Sequence, residues 1–548
     1  MGIKEDTQLK IDDSCLPIRD NRKSKIDNHK FVGVVLSGLA MSVGWGFRGD
    51  YGHEAGAMVP GALLGLAICL ASGRQDWWRR SSIMAMCGAV GWAFGGQMSY
   101  ARIVGYTASD SLPDVAYGYG CLFLIGGLWA GIGSGILALG VTQSRSYLER
   151  FAGPLVALWL VWFAMDLSGL TERLAETWYL HDTDWVAALS ALLVAGVYAV
   201  VVPRNRPACI LIIFLAAGWW AGYIILTGLL GLHMTPPRSD NWSGCVGLFI
   251  ALVLYLIHQK NRAALIVALW GFLVGGLGFA VGDFVNMLGR AQWGPIGRFS
   301  SLQGLDYWKW MEQLFGLIMG IGVGLAFLRS MRQRLLPPAE DLPAIGMSGQ
   351  AGGNLNTVAL LFLLLVMTWS NLYKNVRNWA KGNAIPEQLF GVSAKWWFLL
   401  VGLLLSAGVL AAIIRHRRHE LPLAPAGGFG RGQLLFLVIL WVAVIGVFLQ
   451  AFPGMAGKGV FFVHVTFWIT GGMCSLIVLG LSGHPAGEAE LQLATSDPLW
   501  RPSMRYWLSW LLVPILILVL AYLTASLSQD PLPSSNLRFD NTPSTSVE

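Results

Sequence analysis

The stretch AALIVALWGFLVGGLGFAV at residues 263–281 contains no charged side chain, and LFLLLVMTW at 361–369 is a second such run. Similar runs recur along the chain, and each is about long enough for a helix to cross a bilayer core of roughly 30 Å. Hydrocarbon offers no partner for a free N–H or C=O group, so spans must be helices or a closed barrel, and these runs lack the alternation of barrel strands. We therefore predict an all-α polytopic integral membrane helical bundle.

The composition agrees with a membrane protein. Of the 548 residues, 55% are hydrophobic and 13% are charged, about half the charge of a typical soluble domain. The net charge of +7 comes from Lys and Arg in short loops, so it does not predict nucleic-acid binding. The 7 cysteines are scattered without metal-ligand spacing, and we predict neither a metal site nor another cofactor.

The apolar runs predict about fifteen transmembrane helices. They fall near residues 31–47, 56–73, 81–97, 119–142, 152–169, 185–203, 207–231, 243–258, 263–283, 312–328, 355–372, 396–414, 433–451, 459–481 and 505–525.

Basic residues fall in alternate loops between these spans, as the positive-inside rule requires of cytoplasmic loops. This pattern predicts a cytoplasmic N-terminus and an outer C-terminus, and we expect the protein to reside in the plasma (inner) membrane. The loops in question carry Arg74, Arg79 and Arg80; Arg145 and Arg150; Arg204 and Arg206; Lys260 and Arg262; Arg329, Arg332 and Arg334; and Arg415, Arg417 and Arg418.

Internal similarity predicts two parallel six-helix repeats, an organisation known in secondary transporters. The hexad GWAFGG (91–96) matches GFAVGD (278–283), and GLWAGIGSGILAL (127–139) matches GLIMGIGVGLAFL (316–328); a third hexad, GWGFRG, lies at 44–49. The predicted organisation is a polar cytoplasmic tail (1–30), a two-helix hairpin (31–80), two repeats (81–258 and 263–481), a final span (505–525) and a disordered outer tail (526–548).

The first outer loop, RGDYGHE (48–54), is the densest group of polar residues between two spans. Arg48, Asp50, His53 and Glu54 could bind a solute or relay protons, because charge at membrane depth is costly and usually serves a purpose. The alternative is an exposed turn in which Arg48 pairs with Asp50 or Glu54.

Further candidate residues for substrate binding or proton coupling lie at outer span ends, and together they could line one outward cavity. The alternative for each is a helix cap or an ion pair at headgroup level. These candidates are Tyr100, Arg102, Asp166, Asp283, Asn286, Arg290, Glu312, Asn371, Lys374 and Arg377.

These observations favour a secondary transporter or permease for a small polar solute such as a sugar, sugar acid or other organic anion, coupled to protons or sodium. Its expected partners are the lipid bilayer and that solute; the oligomeric state is left open. One alternative is a membrane-embedded glycosyl- or acyl-transferase with its base in the first outer loop. Another is a non-catalytic assembly subunit.

Overall fold

The computed structural model describes residues 16–96, 98–109, 111–178, 184–234, 240–292, 295–331, 354–417, 431–481, 512 and 515–524. Within these ranges the chain is almost entirely helical, as predicted, and the strands form one small antiparallel hairpin, β1 (Gln388–Leu389) with β2 (Val392–Ser393). The predicted tail at 526–548 lies outside the described residues.

The helices are α1 (Leu16–Gly46), α2 (His53–Ala71), α3 (Gln75–Arg79), α4 (Ser81–Ala93), α5 (Ala101–Tyr106), α6 (Leu112–Thr142), α7 (Arg145–Glu149), α8 (Ala152–Leu167), α9 (Leu170–Trp178), α10 (Asp184–Val201), α11 (Arg206–Gly222), α12 (Asn241–His258), α13 (Arg262–Ala291), α14 (Pro295–Arg298), α15 (Tyr307–Ala326), α16 (Asn354–Leu361), α17 (Asn375–Lys381), α18 (Ala394–Arg417), α19 (Arg431–Ala451) and α20 (Lys458–Gly480). Between α16 and α17 the chain continues through the π-helical turns Phe362–Val366 and Trp369–Lys374.

Within the described residues, 11 helices are long and apolar enough to cross a membrane. Shorter apolar helices occupy Phe31–Gly46, Ser81–Ala93, Ala394–Gly408 and Ile515–Thr524. The chain is therefore a helical, multi-pass membrane protein. Each predicted span overlaps one of these helices, but the total of fifteen crossings remains a prediction.

Six helices form a closed ring at the centre of the molecule. In order around the ring they are α1, α2, α4, α6, α13 and α15, and α15 packs against α1 to close it. The ring is thus made of three consecutive helical hairpins, α1–α2, α4–α6 and α13–α15. The glycine hexads at 44–49 and 91–96 lie at the ends of α1 and α4, whereas the hexad at 278–283 lies in the second half of α13, before its end.

Glycines hold each hairpin together, because the first glycine of each hexad lies against the second helix of its own hairpin. A Cβ atom at Gly44 would lie 2.6 Å from Pro60 Cβ, one at Gly91 would lie 2.9 Å from Gly133 Cα, and one at Gly278 would lie 3.1 Å from the Phe315 carbonyl oxygen. Membrane helices pack by such close backbone approach, since burial from water contributes little inside a bilayer.

Glycines also join one hairpin to the next. A Cβ at Gly61 would lie 2.3 Å from the Gly88 carbonyl oxygen, one at Gly126 would lie 2.5 Å from that of Gly275, and one at Gly316 would lie 2.3 Å from that of Met41. The same contact between a second helix and the following first helix therefore occurs three times around the ring.

Aromatic side chains fill the ring interior. Trp45 of α1 and Trp129 of α6 belong to helices that are not neighbours in the ring, yet their ring centroids are 4.8 Å apart. Phe315 packs on Trp45 at 4.9 Å, and Phe279 packs on Phe315 at 4.7 Å. All four side chains are buried, so they form an apolar plug, hereafter the aromatic plug.

The remaining long helices surround this ring. Helix α12 packs on α6 and α13, α16 on α4, α19 on α2 and α20 on α1. Their outer surfaces, and those of α8, α10 and α18, expose apolar side chains such as Leu160, Val200, Leu404 and Leu476, as expected where a helix faces lipid.

Candidate functional site

The connections of the three ring hairpins meet at one end of the ring. The first is the short 3₁₀ helix Arg48–Tyr51 between α1 and α2. The second includes Tyr100 and α5, between α4 and α6, and the third leads into the first turns of α15. Together they supply a group of charged and polar side chains, Arg48, Asp50, Tyr100, Lys309 and Glu312, hereafter the axial cluster.

Lys309 links the first and third connections. Its Nζ donates to Asp50 Oδ2 at 2.9 Å and lies 3.7 Å from Glu312 Oε2, one helical turn further along α15. Asp306 fixes the start of this helix, because its Oδ1 accepts a hydrogen bond from the Lys309 backbone N–H at 3.1 Å. The helix therefore begins where it can present both Lys309 and Glu312 to the ring end.

Tyr100 adds the second connection to the cluster. Its hydroxyl donates to Glu312 Oε1 at 2.5 Å. Burial, together with the nearby Glu312 carboxylate, raises the pKa of the Tyr100 phenol well above its usual value of 10.0. Tyr100 therefore keeps its proton and remains a donor at neutral pH.

Arg48 occupies the side of the cluster next to the aromatic plug. Its guanidinium lies 5.6 Å from the ring centroid of Trp45 and 5.1 Å from that of Trp129, and it donates to the Gly96 carbonyl oxygen. The side chain is buried, with 6% of its surface exposed. Aromatic faces can compensate part of the lost hydration of a cation.

The axial cluster contains two cations and two carboxylates, so its formal charges balance. Glu312 is 2% exposed. Two buried atoms of this cluster, Arg48 Nε and Glu312 Oε2, are without a hydrogen-bond partner among the described residues. Buried charges are costly unless they are fully paired, and incompletely paired ones in membrane proteins commonly mark a pathway for a solute or an ion.

Outer helices hold the Asp50 side of the cluster in place. Trp379 Nε1 donates to the Asp50 carbonyl oxygen at 2.7 Å, and the Tyr51 hydroxyl donates to the Ala443 carbonyl oxygen at 2.6 Å. Gly52 has φ +79°, a conformation that favours glycine, and it lies against the Asn375 side chain. The first connection is therefore fixed between the ring and the outer helices.

A cavity of about 500 Å³ lies beside the axial cluster, between α5, the end of α13 and the start of α15. Its polar lining includes Asn286, Arg290, Gln292 and Asp306. We call it the side cavity. Trp308 also lines it and stacks on Tyr100, with ring centroids 5.6 Å apart and an interplanar angle of 17°, so this aromatic pair separates the cavity from Glu312.

Asp283 lies behind the side cavity, in the interior of α13. The predicted span ended at this residue, but the helix continues to Ala291, so Asp283 is fully buried and is not at a span end. Asn286 Nδ2 donates to Asp283 Oδ1 at 3.3 Å. Arg290 interacts electrostatically with Asp283. The predicted candidates Asp283, Asn286 and Arg290 therefore do lie together.

The remaining predicted residues do not join one cavity. Lys374 and Asp166 form an exposed ion pair of 3.1 Å between two outer helices, which is the alternative we gave for such residues. Asn371 is buried and lines a small, largely apolar pocket between the outer helices and the ring helix α2. Arg102 and Arg377 are exposed on the same end of the molecule.

The first outer loop divides into two parts. Asp50 pairs with Lys309, so the alternative in which it pairs with Arg48 is not the observed arrangement. His53 is exposed and Glu54 is half-buried at the start of α2. A Cβ at Gly96 would lie 2.5 Å from Glu54 Cα, so this helix start packs tightly on the second connection.

Sequence reasoning missed Lys309 and His464. Lys309 could have been found, since a Lys three residues before a Glu at a span start is the spacing of a helical ion pair. His464 lies in the interior of α20, is 4% exposed and interacts electrostatically with Asp50 and Lys309. Only the packing of α20 on α1 brings it close, so no local pattern signals it.

The described residues contain no group of three or more His, Cys, Asp or Glu side chains that could hold a metal ion. The fold and the site thus define a helical multi-pass membrane protein with a buried charged cluster. No protein-family profile, curated protein or solved structure matches the chain.

Proposed function

We propose that this protein is a secondary transporter or permease of the plasma membrane, moving a small polar solute in exchange for or together with protons or sodium. The observation that carries the proposal is the axial cluster, four buried or partly buried charges at the point where three ring hairpins meet. Such groups are expensive inside a membrane protein and are typical of solute and ion pathways.

The position of the side cavity supports the same proposal. A solute in this cavity would touch Trp308, which stacks on Tyr100, and Tyr100 donates to Glu312. Binding in the cavity could therefore change the surroundings of Glu312 through a chain of direct contacts. Coupling between solute and ion requires such a differential effect on an ionisable group.

A membrane-embedded transferase is the second candidate. It is favoured by the location of both the axial cluster and the side cavity at one end of the ring, with the aromatic plug filling the interior next to them. An enzyme that acts on one face needs no route through the ring. A transporter with this arrangement would be in a state open to one side, and the plug would have to rearrange during transport.

Uptake into proteoliposomes distinguishes the two candidates. The experiment follows labelled sugars, sugar acids and amino acids, and compares the wild type with Glu312→Gln and with Glu149→Gln, a control that alters a partly exposed i,i+4 ion pair with Arg145 far from the cluster. Transport predicts saturable uptake of at least one solute by the wild type and by the control. If correctly folded protein takes up none of them, the transport proposal fails, and lipid-linked donor substrates become the next assay.

A further inference from the structure

The side cavity has a balanced charge. Arg290 is the cation among its lining residues and Asp306 is the carboxylate. Asp306 is held in place by capping α15, and Arg290 interacts electrostatically with the buried Asp283 behind it. A solute with a net charge would meet a like charge as well as an opposite one, whereas a neutral solute is repelled by neither and can hydrogen-bond to both.

The polar groups of the cavity are planar. They are the Arg290 guanidinium, the amides of Asn286 and Gln292 and the Asp306 carboxylate. The guanidinium offers two donors side by side, the carboxylate two acceptors, and each amide one donor group beside one acceptor. All three match pairs of adjacent hydroxyl groups, each of which can donate and accept. Asn286 Nδ2 already donates to Asp283, and Asp306 Oδ1 already accepts from the Lys309 N–H, so a polyhydroxylated ligand would pair with the remaining donors and acceptors of the lining.

Two aromatic side chains complete the lining. Trp308 is held by its stacking on Tyr100, and the Tyr307 hydroxyl donates to the Leu302 carbonyl oxygen at 2.8 Å. The Tyr307 ring packs directly against the backbone of Gly289, where a larger residue would clash, because a Cβ there would lie 2.1 Å from Tyr307 Cγ. Rigid aromatic faces bind apolar surfaces at little cost in conformational entropy, and the C–H face of a sugar ring is such a surface.

We propose that the side cavity binds a neutral carbohydrate of one or two sugar units. Its volume of about 500 Å³ lies within the range of roughly 300–1,000 Å³ typical of small-molecule sites. The inference rests on the proposed function only in treating this carbohydrate as the transported solute, since binding itself requires no transport.

The loop before α15 forms part of the cavity wall, and it is hydrogen-bonded to the outer helix α20. Lys458, at the start of α20, donates through Nζ to the carbonyl oxygens of Ser300 at 2.7 Å and Gln303 at 3.1 Å. Gly459 lets this helix approach the loop closely, since a Cβ there would lie 2.8 Å from the Gly304 carbonyl oxygen. Helix α20 therefore supports this wall of the cavity, as a selective site requires.

Equilibrium binding to purified full-length protein in detergent tests the proposal without any transport assay. The probes are radiolabelled D-glucose, maltose and D-glucuronate. We expect saturable binding of at least one neutral sugar, and binding of D-glucuronate at least about tenfold weaker. Tightest binding of D-glucuronate, or no binding of either neutral sugar by monodisperse protein, would overturn the proposal.

Variants locate the site. Trp308→Leu and Arg290→Gln should each weaken sugar binding about tenfold or more. The control is Arg173→Gln, which changes an exposed arginine on α9 and should leave binding unchanged.

Gln292→Asn is a milder test, because Gln292 has φ +49° and Asn tolerates that conformation. This variant should weaken sugar binding severalfold without unfolding the protein. Unchanged binding in Gln292→Asn and Trp308→Leu would place the sugar elsewhere and overturn the proposal. Sugar binding without uptake into proteoliposomes would instead reject only transport.

Discussion

Lys309 is the residue on which the charge balance of the axial cluster depends. It lies between Asp50 and Glu312, and its side chain is 18% exposed while that of Asp50 is 22% exposed. Removing one member of such a pair leaves the other charge without compensation, which costs more than removing both.

We therefore expect Lys309→Met to destabilise the protein by about 3 kcal/mol, at the lower end of the range for broken buried pairs because both groups are partly exposed. The double variant Lys309→Met with Asp50→Asn should recover at least half of this loss. The thermal unfolding midpoint in detergent measures both effects.

Lys374→Met is the matched control for this pair of variants. This substitution breaks the ion pair between Lys374, whose side chain is 51% exposed, and Asp166, whose side chain is 40% exposed. Exposed ion pairs contribute little to stability. Its unfolding midpoint should equal that of the wild type. A double variant that is less stable than Lys309→Met would contradict the role assigned to Lys309.

At the scale of helices, the ring depends on contacts between glycine backbones that no side chain can replace. A Cβ at Gly88 would lie 2.1 Å from the Gly61 carbonyl oxygen, so α2 and α4 must separate if a larger residue is introduced. Overpacking at such an interface typically costs about 1–3 kcal/mol and occasionally more.

Gly88→Val should therefore lower the unfolding midpoint clearly and reduce the yield of monodisperse protein. Gly196→Val in α10 is the control, since nothing lies within 4 Å of a Cβ at that position. Size-exclusion chromatography and thermal unfolding report the result. Equal behaviour of the two variants would mean that α2 and α4 do not depend on this close approach.

The sequence contained much of this architecture. Apolar runs placed the helices, and the hexads at 44–49, 91–96 and 278–283 mark the three hairpins of the ring. The ring itself could not be predicted, because its order depends on which glycine faces which helix, and periodic small residues are compatible with several partners. The two six-helix repeats remain a prediction, and α1 and α2, which that scheme leaves outside its halves, are members of the ring.

The candidate site was also predictable only in part. Arg48, Asp50, Tyr100 and Glu312 stood out as polar residues near span ends, and the structure brings them together. Asp166 and Lys374 stood out equally but form an exposed pair on the outer helices. Position along a span is visible in the sequence, whereas the helix face that points to the ring is decided by tertiary packing.

At the scale of the whole molecule, the predicted orientation places the axial cluster and the side cavity outside the cell. Arg102 is exposed at that end, and Lys260 is exposed at the other, in one of the basic loops. Those loops are predicted to be cytoplasmic by the positive-inside rule.

Cysteine labelling in intact cells tests this orientation. An impermeant maleimide should label Arg102→Cys directly and label Lys260→Cys only after permeabilisation, with the wild type as the control for labelling of native cysteines. The described native cysteines are buried or half-buried, which limits that background. The reverse pattern would invert the orientation and place the side cavity in the cytoplasm.

The most direct test of the account is solute accumulation driven by an imposed ion gradient in proteoliposomes. If the axial cluster couples ion and solute movement, the wild type should concentrate the solute above its external level when an inward proton or sodium gradient is imposed. Glu312→Gln should still equilibrate the solute but should not concentrate it. Accumulation by Glu312→Gln equal to that of the wild type, or no effect of either gradient on the wild type, would contradict the account.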